Sequence, residues 1–139
     1  MKRFLLDTGI ASDFINRRHN VFERAREEVG RGNRIGIGTP VLGELFGGIE
    51  ISVTREKNLQ RLRRAASVWL LWPFDEAAAE AYGRVYAALR RMGRPIQQVD
   101  MQIAAIALSL GNTTVVSSDS DLAAVPDLSV VNWAAENPE

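Results

Sequence analysis

Short apolar runs alternate along this chain with longer stretches in which apolar residues recur every three or four positions. Arg3-Phe4-Leu5-Leu6 is such a run; it ends at Asp7 and has the pattern of a buried strand. Residues 20–30 predict a helix with acids and arginines on its outer face, and residues 34–38 a second short strand. Thr39-Pro40 opens the next helix, because threonine can cap and proline is favoured at the first helical position. Val41, Leu42, Leu45, Phe46 and Ile49 give that helix a core stripe. A further helix over 54–68 places Leu59, Leu62, Ala66 and Trp69 at helical spacing. Residues 70–74 suit an edge strand, since Pro73 has no N–H to donate to a ladder. Asp75 then caps a helix that turns Ala78, Tyr82, Val85, Tyr86 and Leu89 inward and stops at Gly93. The rest reads as a helix over 97–110 ended by Gly111, a β-branched strand over 114–117, a helical turn over 119–124 and a last strand over 128–131.

Strands that alternate with helices imply an α/β fold, with a parallel sheet covered on both faces. In such folds binding sites form in the crevice beyond the carboxyl ends of the strands. No repeat, low-complexity tract or linker interrupts the pattern, so residues 1–139 are expected to form one domain.

Composition narrows the chemistry. With 46% hydrophobic and 24% charged residues the chain is ordinary for a soluble globular protein, and without cysteine it has neither disulfides nor a thiolate metal site. Asp7 interrupts the apolar start far too early for a signal-peptide core, and no stretch approaches the ~20 apolar residues that cross a bilayer. A cytoplasmic protein is expected. The net charge of zero gives no hint of nucleic-acid binding, but the charges are unevenly placed. Residues 1–94 hold all 17 Lys and Arg against 11 acids, whereas residues 95–139 hold six acids and no base. Fifteen of the bases are arginine, which suits forked phosphate contacts, although solvated helix faces account for them equally well.

Four acids converge on one sheet edge in this reading. Asp7 follows the first strand, and Asp119 lies just past the fourth. Glu44 sits within a turn or so of the start of the helix after strand two, and Asp100 near the start of the helix that feeds strand four. Four carboxylates so placed repel one another unless cations neutralise them. Oxygen-only ligands suit hard divalent ions such as Mg²⁺ or Mn²⁺, and ions held this way can activate water for phosphodiester cleavage. Each acid also has a plainer role. Asp7 can cap a helix beginning near Thr8, Glu44 can be a solvated surface acid, Asp100 can answer the helix dipole, and Asp119 can serve a turn with Ser117 and Asp121. The shared edge is what raises them above these readings.

The segments LLDTGIASDF, TPVLGELFGGIE, GRPIQQVDMQIAAIALSLG and TVVSSDSDLAAVPDLSVVNW, taken in order, closely resemble PIN-domain toxins of the VapC type, from Phe4 to Trp133. The resemblance implies a three-layer α/β/α sandwich, a Mg²⁺- or Mn²⁺-dependent endoribonuclease, usually a homodimer, and a cognate antitoxin that wraps the toxin and occludes its acidic site. Carried over position by position, the family's acids fall on Asp7, Glu44, Asp100 and Asp119, with Thr8 and Ser117 at hydroxyl positions beside the metal. Two departures stand out. Gly9 replaces the usual Asn of an Asp-Thr-Asn triplet, which removes an amide from the site. In the last segment Asp121 competes with Asp119 for the role of fourth ligand, with Asp119 preferred.

Asp-Thr-Gly is also the triplet of aspartic proteases, but those are all-β and helical periodicity dominates here. A haloacid-dehalogenase-type phosphatase needs a second Asp where Gly9 stands, and a receiver domain needs a later Lys where only Lys2 and Lys57 exist. The alternative from a different class is a non-catalytic PIN-like interaction module, which has no reason to keep a mutually repulsive cluster. His19 has no partner of its own type and reads as a surface loop residue. Arg17, Arg18 and the run Arg61-Leu62-Arg63-Arg64 can meet RNA phosphates or antitoxin acids, or simply water. The tryptophans, Tyr82 and Tyr86 suit a core or a dimer surface better than a base-stacking platform.

Overall fold

The structure, a computed structural model, describes residues 1–134. Five strands, β1 (Arg3–Leu6), β2 (Arg34–Gly38), β3 (Leu70–Trp72), β4 (Thr113–Val116) and β5 (Ser129–Val131), form one sheet in the order β3-β2-β1-β4-β5. Every pairing is parallel. The helices are α1 (Thr8–Ile15), α2 (Val21–Gly30), α3 (Thr39–Glu50), α4 (Arg55–Ala66), α5 (Glu76–Arg91), α6 (Gln98–Leu110) and α7 (Ser120–Ala123). Successive steps β1→β2→β3 run one way across the sheet, and β4→β5 runs the other. Right-handed crossovers therefore put α1–α4 on one face and α5–α7 on the opposite one. The packing agrees: α1, α2, α3 and α4 contact one another, and α5 packs on α6, which packs on α7. The result is the expected three-layer sandwich.

The core lies where the two helical layers meet the sheet, on Leu5, Leu6, Ile37, Val115 and Val116 from the strands and Ile10, Leu62, Leu89, Ile103 and Ile106 from the helices. Beyond the last strand, Trp133 is buried against Phe4, with ring centroids 5.1 Å apart. Three expectations need correction. In α3 only Val41 is fully buried; Leu42, Leu45, Phe46 and Ile49 pack at the margin of the core. In α5 Ala81 points inward, while Tyr86 is exposed and stacks on Tyr82 and beneath Arg90. Gly38, rather than Thr39, is the N-cap of α3, and the Thr39 hydroxyl instead accepts the N–H of Phe74, which ties the end of β3 to that helix. The edge strand β3 stops at Trp72, just before Pro73, as the missing N–H requires.

Gly36 sets the spacing of this sheet. A Cβ there would stand 2.3 Å from the Leu70 carbonyl oxygen and 2.8 Å from the Trp72 ring. Since a backbone carbonyl in a strand cannot swing aside, Gly36→Ala is expected to destabilise the protein towards the upper end of the roughly 1–3 kcal/mol of overpacking, or beyond it. Chemical denaturation of the two proteins measures this directly.

Candidate metal centre

All five strands end at one edge, and the loops there deliver the acids. Leu6 pairs with Val116, so Asp7 and Ser117 leave neighbouring strands side by side, and the Asp7 N–H continues the ladder to the Val116 carbonyl at 3.1 Å. Thr8–Ile15 and Thr39–Glu50 both begin at this edge, because each helix follows its strand directly. Helix α6 runs back against β4, so its first turn, which carries Asp100, comes to the same place.

The acids differ in burial. Asp7 is 8% exposed and Ser117 2%, Asp100 is half-buried, and Glu44 and Asp119 are exposed. Asp7 caps α1 by accepting the Ile10 N–H at 2.8 Å. Burial pushes its pKa up, the Ser117 hydroxyl and the Ile10 N–H pull it down, and the charges of Asp119 and Asp13 raise it again. The Ser117 hydroxyl also accepts the Asp119 N–H at 2.9 Å, and the Asp119 carboxylate accepts the Asp121 N–H at 2.9 Å to cap α7. Glu44 is held at a distance of 2.5 Å by the Thr8 hydroxyl, which donates to it. The plain capping roles and the shared edge thus hold together.

Asp100 reports on the cluster most directly. Its pKa is pushed up to about 6, first by burial and then by the charges of Asp119, Asp7, Asp121 and Glu44. All the acids singled out from the sequence therefore lie within electrostatic reach of this one side chain. Among the described residues no donor hydrogen-bonds the Asp100 carboxylate. Asp121 faces Arg94 at 3.4 Å, among the described residues the one cation paired with this group of acids. Among the described residues, no group of three or more Asp, Glu, His or Cys side chains is arranged to hold a metal ion as it stands. Asp7, Glu44 and Asp119 each accept a hydrogen bond from the protein's own donors. The donor set itself, oxygen-only and anionic, fits a hard divalent ion.

Several neighbours were not visible in sequence. Asp13, a residue of α1 without a motif signal, adds to the charge felt by Asp7. Arg94 gave a faint one, as the last base before an entirely acidic segment. Gly9 leaves room: a Cβ there would meet Asp7 Oδ1 at an ordinary 3.8 Å. His19 sits in the loop after α1, exposed, with Nδ1 3.0 Å from Asp13.

A wholly parallel α/β sandwich with acids gathered at the carboxyl edge can host many chemistries, and comparison with known proteins identifies the family. The PIN domain model matches residues 4–128. The tRNA(fMet)-specific endonuclease VapC of Shigella flexneri is 33% identical over 135 residues, spanning 96% of this chain and 100% of that protein. Ribonuclease VapC2 of Rickettsia felis is 28% identical, spanning 94% and 97%. A chain of DNA-bound VapBC from Salmonella typhimurium superposes with a TM-score of 0.87 at 30% identity, covering 96% of this chain and 99% of that one. The chain belongs to the PIN-domain family. Its activity is of the nuclease class that these relatives carry.

Without a cation the cluster costs stability in a definite pH window. Asp100 and Asp7 hold their protons more tightly when folded than when unfolded. The contribution of Asp100 is therefore greatest below about 3.8 and is lost as pH rises through about 6, and Asp7 adds to it in the same direction. In metal-free buffer, Asp100→Asn is expected to raise Tm at pH 7 by a few degrees and to flatten the decline between pH 4 and 7, read by differential scanning calorimetry.

Proposed function

We propose that this protein is a Mg²⁺- or Mn²⁺-dependent endoribonuclease and the toxin of a type II toxin–antitoxin pair, with Asp7, Glu44, Asp100 and Asp119 as the metal-holding residues. The observation that carries this reading is Asp100: a half-buried carboxyl, without a hydrogen-bond donor among the described residues and raised first by burial and then by four other acids, is an anion that a neighbouring cation would stabilise. Asp119 is favoured over Asp121 because its charge acts on both Asp7 and Asp100, whereas Asp121 acts on Asp100 and is paired with Arg94.

The chain's own groups divide the work. Asp7 supplies a fixed, buried oxygen pair whose orientation is set by Ile10 N–H and Ser117. Thr8 orients Glu44, and the Ser117 hydroxyl links Asp7 to the Asp119 backbone. Held on strand ends and helix starts, these groups are preorganised by rigid elements rather than by a floppy loop. A divalent ion bound among them supplies Lewis-acid chemistry, lowering the pKa of the attacking water and stabilising the leaving oxygen of an RNA phosphodiester.

The partners follow from the relatives. Solved neighbours include VapBC assemblies, which supports a cognate antitoxin; a homodimer rests on the sequence resemblance alone. Transfer RNA is the first substrate to test, given the name of the Shigella flexneri relative. Among the described residues no helix is long and apolar enough to cross a membrane. A non-catalytic interaction module gains no support, since all four acids are retained at one edge.

Asp7→Asn and Asp100→Asn are each expected to lower Mn²⁺-dependent cleavage of RNA at least a hundredfold while the far-UV circular dichroism stays unchanged, a loss of about 3 kcal/mol in transition-state stabilisation. Undiminished cleavage by the folded double variant contradicts the assignment. For the wild-type protein, Mn²⁺ at about 100 times its Kd is expected to add about 2.7 kcal/mol of stability, a gain that both variants lose.

A further inference from the structure

A cleft of about 340 Å³ opens between α1, α3 and α4, and one end of it is formed by Thr8 and Glu44. Its floor is apolar, with Ile15, Leu45 and Ile49, and its rim carries Ser12, Asn16, Asn58 and Arg61. The volume is within the roughly 300–1,000 Å³ of small-ligand sites. Arg61 is half-buried and held in place: its Nη2 donates to Asn16 Oδ1 at 2.8 Å, and the Asn16 amide in turn donates to the Ser12 carbonyl at 3.0 Å. Among the described residues no carboxylate lies within salt-bridge distance of Arg61. The Asn58 amide donates to the Ser52 hydroxyl at 3.1 Å, and among the described residues its carbonyl oxygen takes no donor.

We propose that this cleft is a nucleotide subsite, in which Arg61 holds a phosphate of single-stranded RNA beside the scissile one and Asn58 contacts the neighbouring base. It rests on the nuclease reading above and extends it to the strand on the Glu44 side of the site. Three features select RNA as the occupant. A fixed guanidinium without an acid partner is an anion site, and its planar fork matches phosphate oxygens. An apolar floor beneath a free amide suits an unstacked base, which presents one flat face and one polar edge. The cleft is also lined by Thr8 and Glu44, so it reaches the edge where the acids gather. The apolar groove on the far side of α1, lined by Phe14, Phe22, Val29 and Trp69, lacks this connection.

Fluorescence anisotropy with short labelled oligoribonucleotides, in EDTA and over a range of salt concentrations, tests the subsite without reference to catalysis. Arg61→Gln is expected to weaken binding about fivefold at low salt and to reduce the slope of log affinity against log salt by about 0.7, the share of one phosphate contact on a single strand. Arg61→Lys, which keeps the charge, is expected to restore the slope. Asn58→Ala is expected to change the ratio of affinities among homopolymeric oligonucleotides and to leave the slope alone. Wild-type affinity and slope in a folded Arg61→Gln protein overturn the proposal, as does a wild-type protein without measurable RNA affinity. It is overturned too if Arg61→Gln weakens only the binding of an acidic protein partner. Loss of RNA affinity in Arg61→Gln alongside a wild-type protein that never cleaves RNA with Mn²⁺ would uphold the subsite and remove the nuclease reading, so the two stand or fall separately.

Discussion

Mutual repulsion among carboxylates at one end of a parallel sheet is the constraint on which the rest of this molecule turns. The sheet brings them together because all five strands end on the same side, and each connection must start there. Burial sharpens the repulsion. Asp7 is nearly removed from water, and Asp100 is half removed, so each feels the others through a poor screen. A protein selected for stability alone would replace one or more of them with neutral residues. The presence of these acids together costs stability near neutral pH.

The scaffold answers this strain with local hydrogen bonds. Ile10 N–H and the Ser117 hydroxyl favour an ionised carboxylate at Asp7, and the Thr8 hydroxyl donates to Glu44. Asp119 accepts a backbone N–H of its own helix turn. Asp100 is the exception, with charge around it and, among the described residues, no donor. Capping is thus a duty of Asp7 and Asp119, each of which accepts a backbone N–H of the helix that follows it.

Much of this was legible in the chain. Period and punctuation located all five strands to within a residue or two, because buried parallel strands are short unbroken apolar runs and the helices between them carry turn signals at their ends. Convergence of Asp7, Glu44, Asp100 and Asp119 followed from the rule that parallel strands finish together. Side-chain facing was harder to read. Tyr86 shares helical spacing with Leu89 but lies at the flank of its helix, where Ala81 takes the inward place and the ring stacks on Tyr82 instead. The stripe of α3 is only half-covered because that helix borders the open cleft. Asp13, Arg94 and the meeting of Asn16 with Arg61 depend on how separate helices lie against one another, and nothing local in the sequence encodes that.

A crystal of the protein soaked in Mn²⁺ and measured for anomalous scattering tests the central claim most directly. Anomalous density bounded by Asp7, Asp100 and Asp119, with Glu44 facing it, is the result predicted here. A saturating soak that leaves this edge empty, with ions found elsewhere or nowhere, would contradict it.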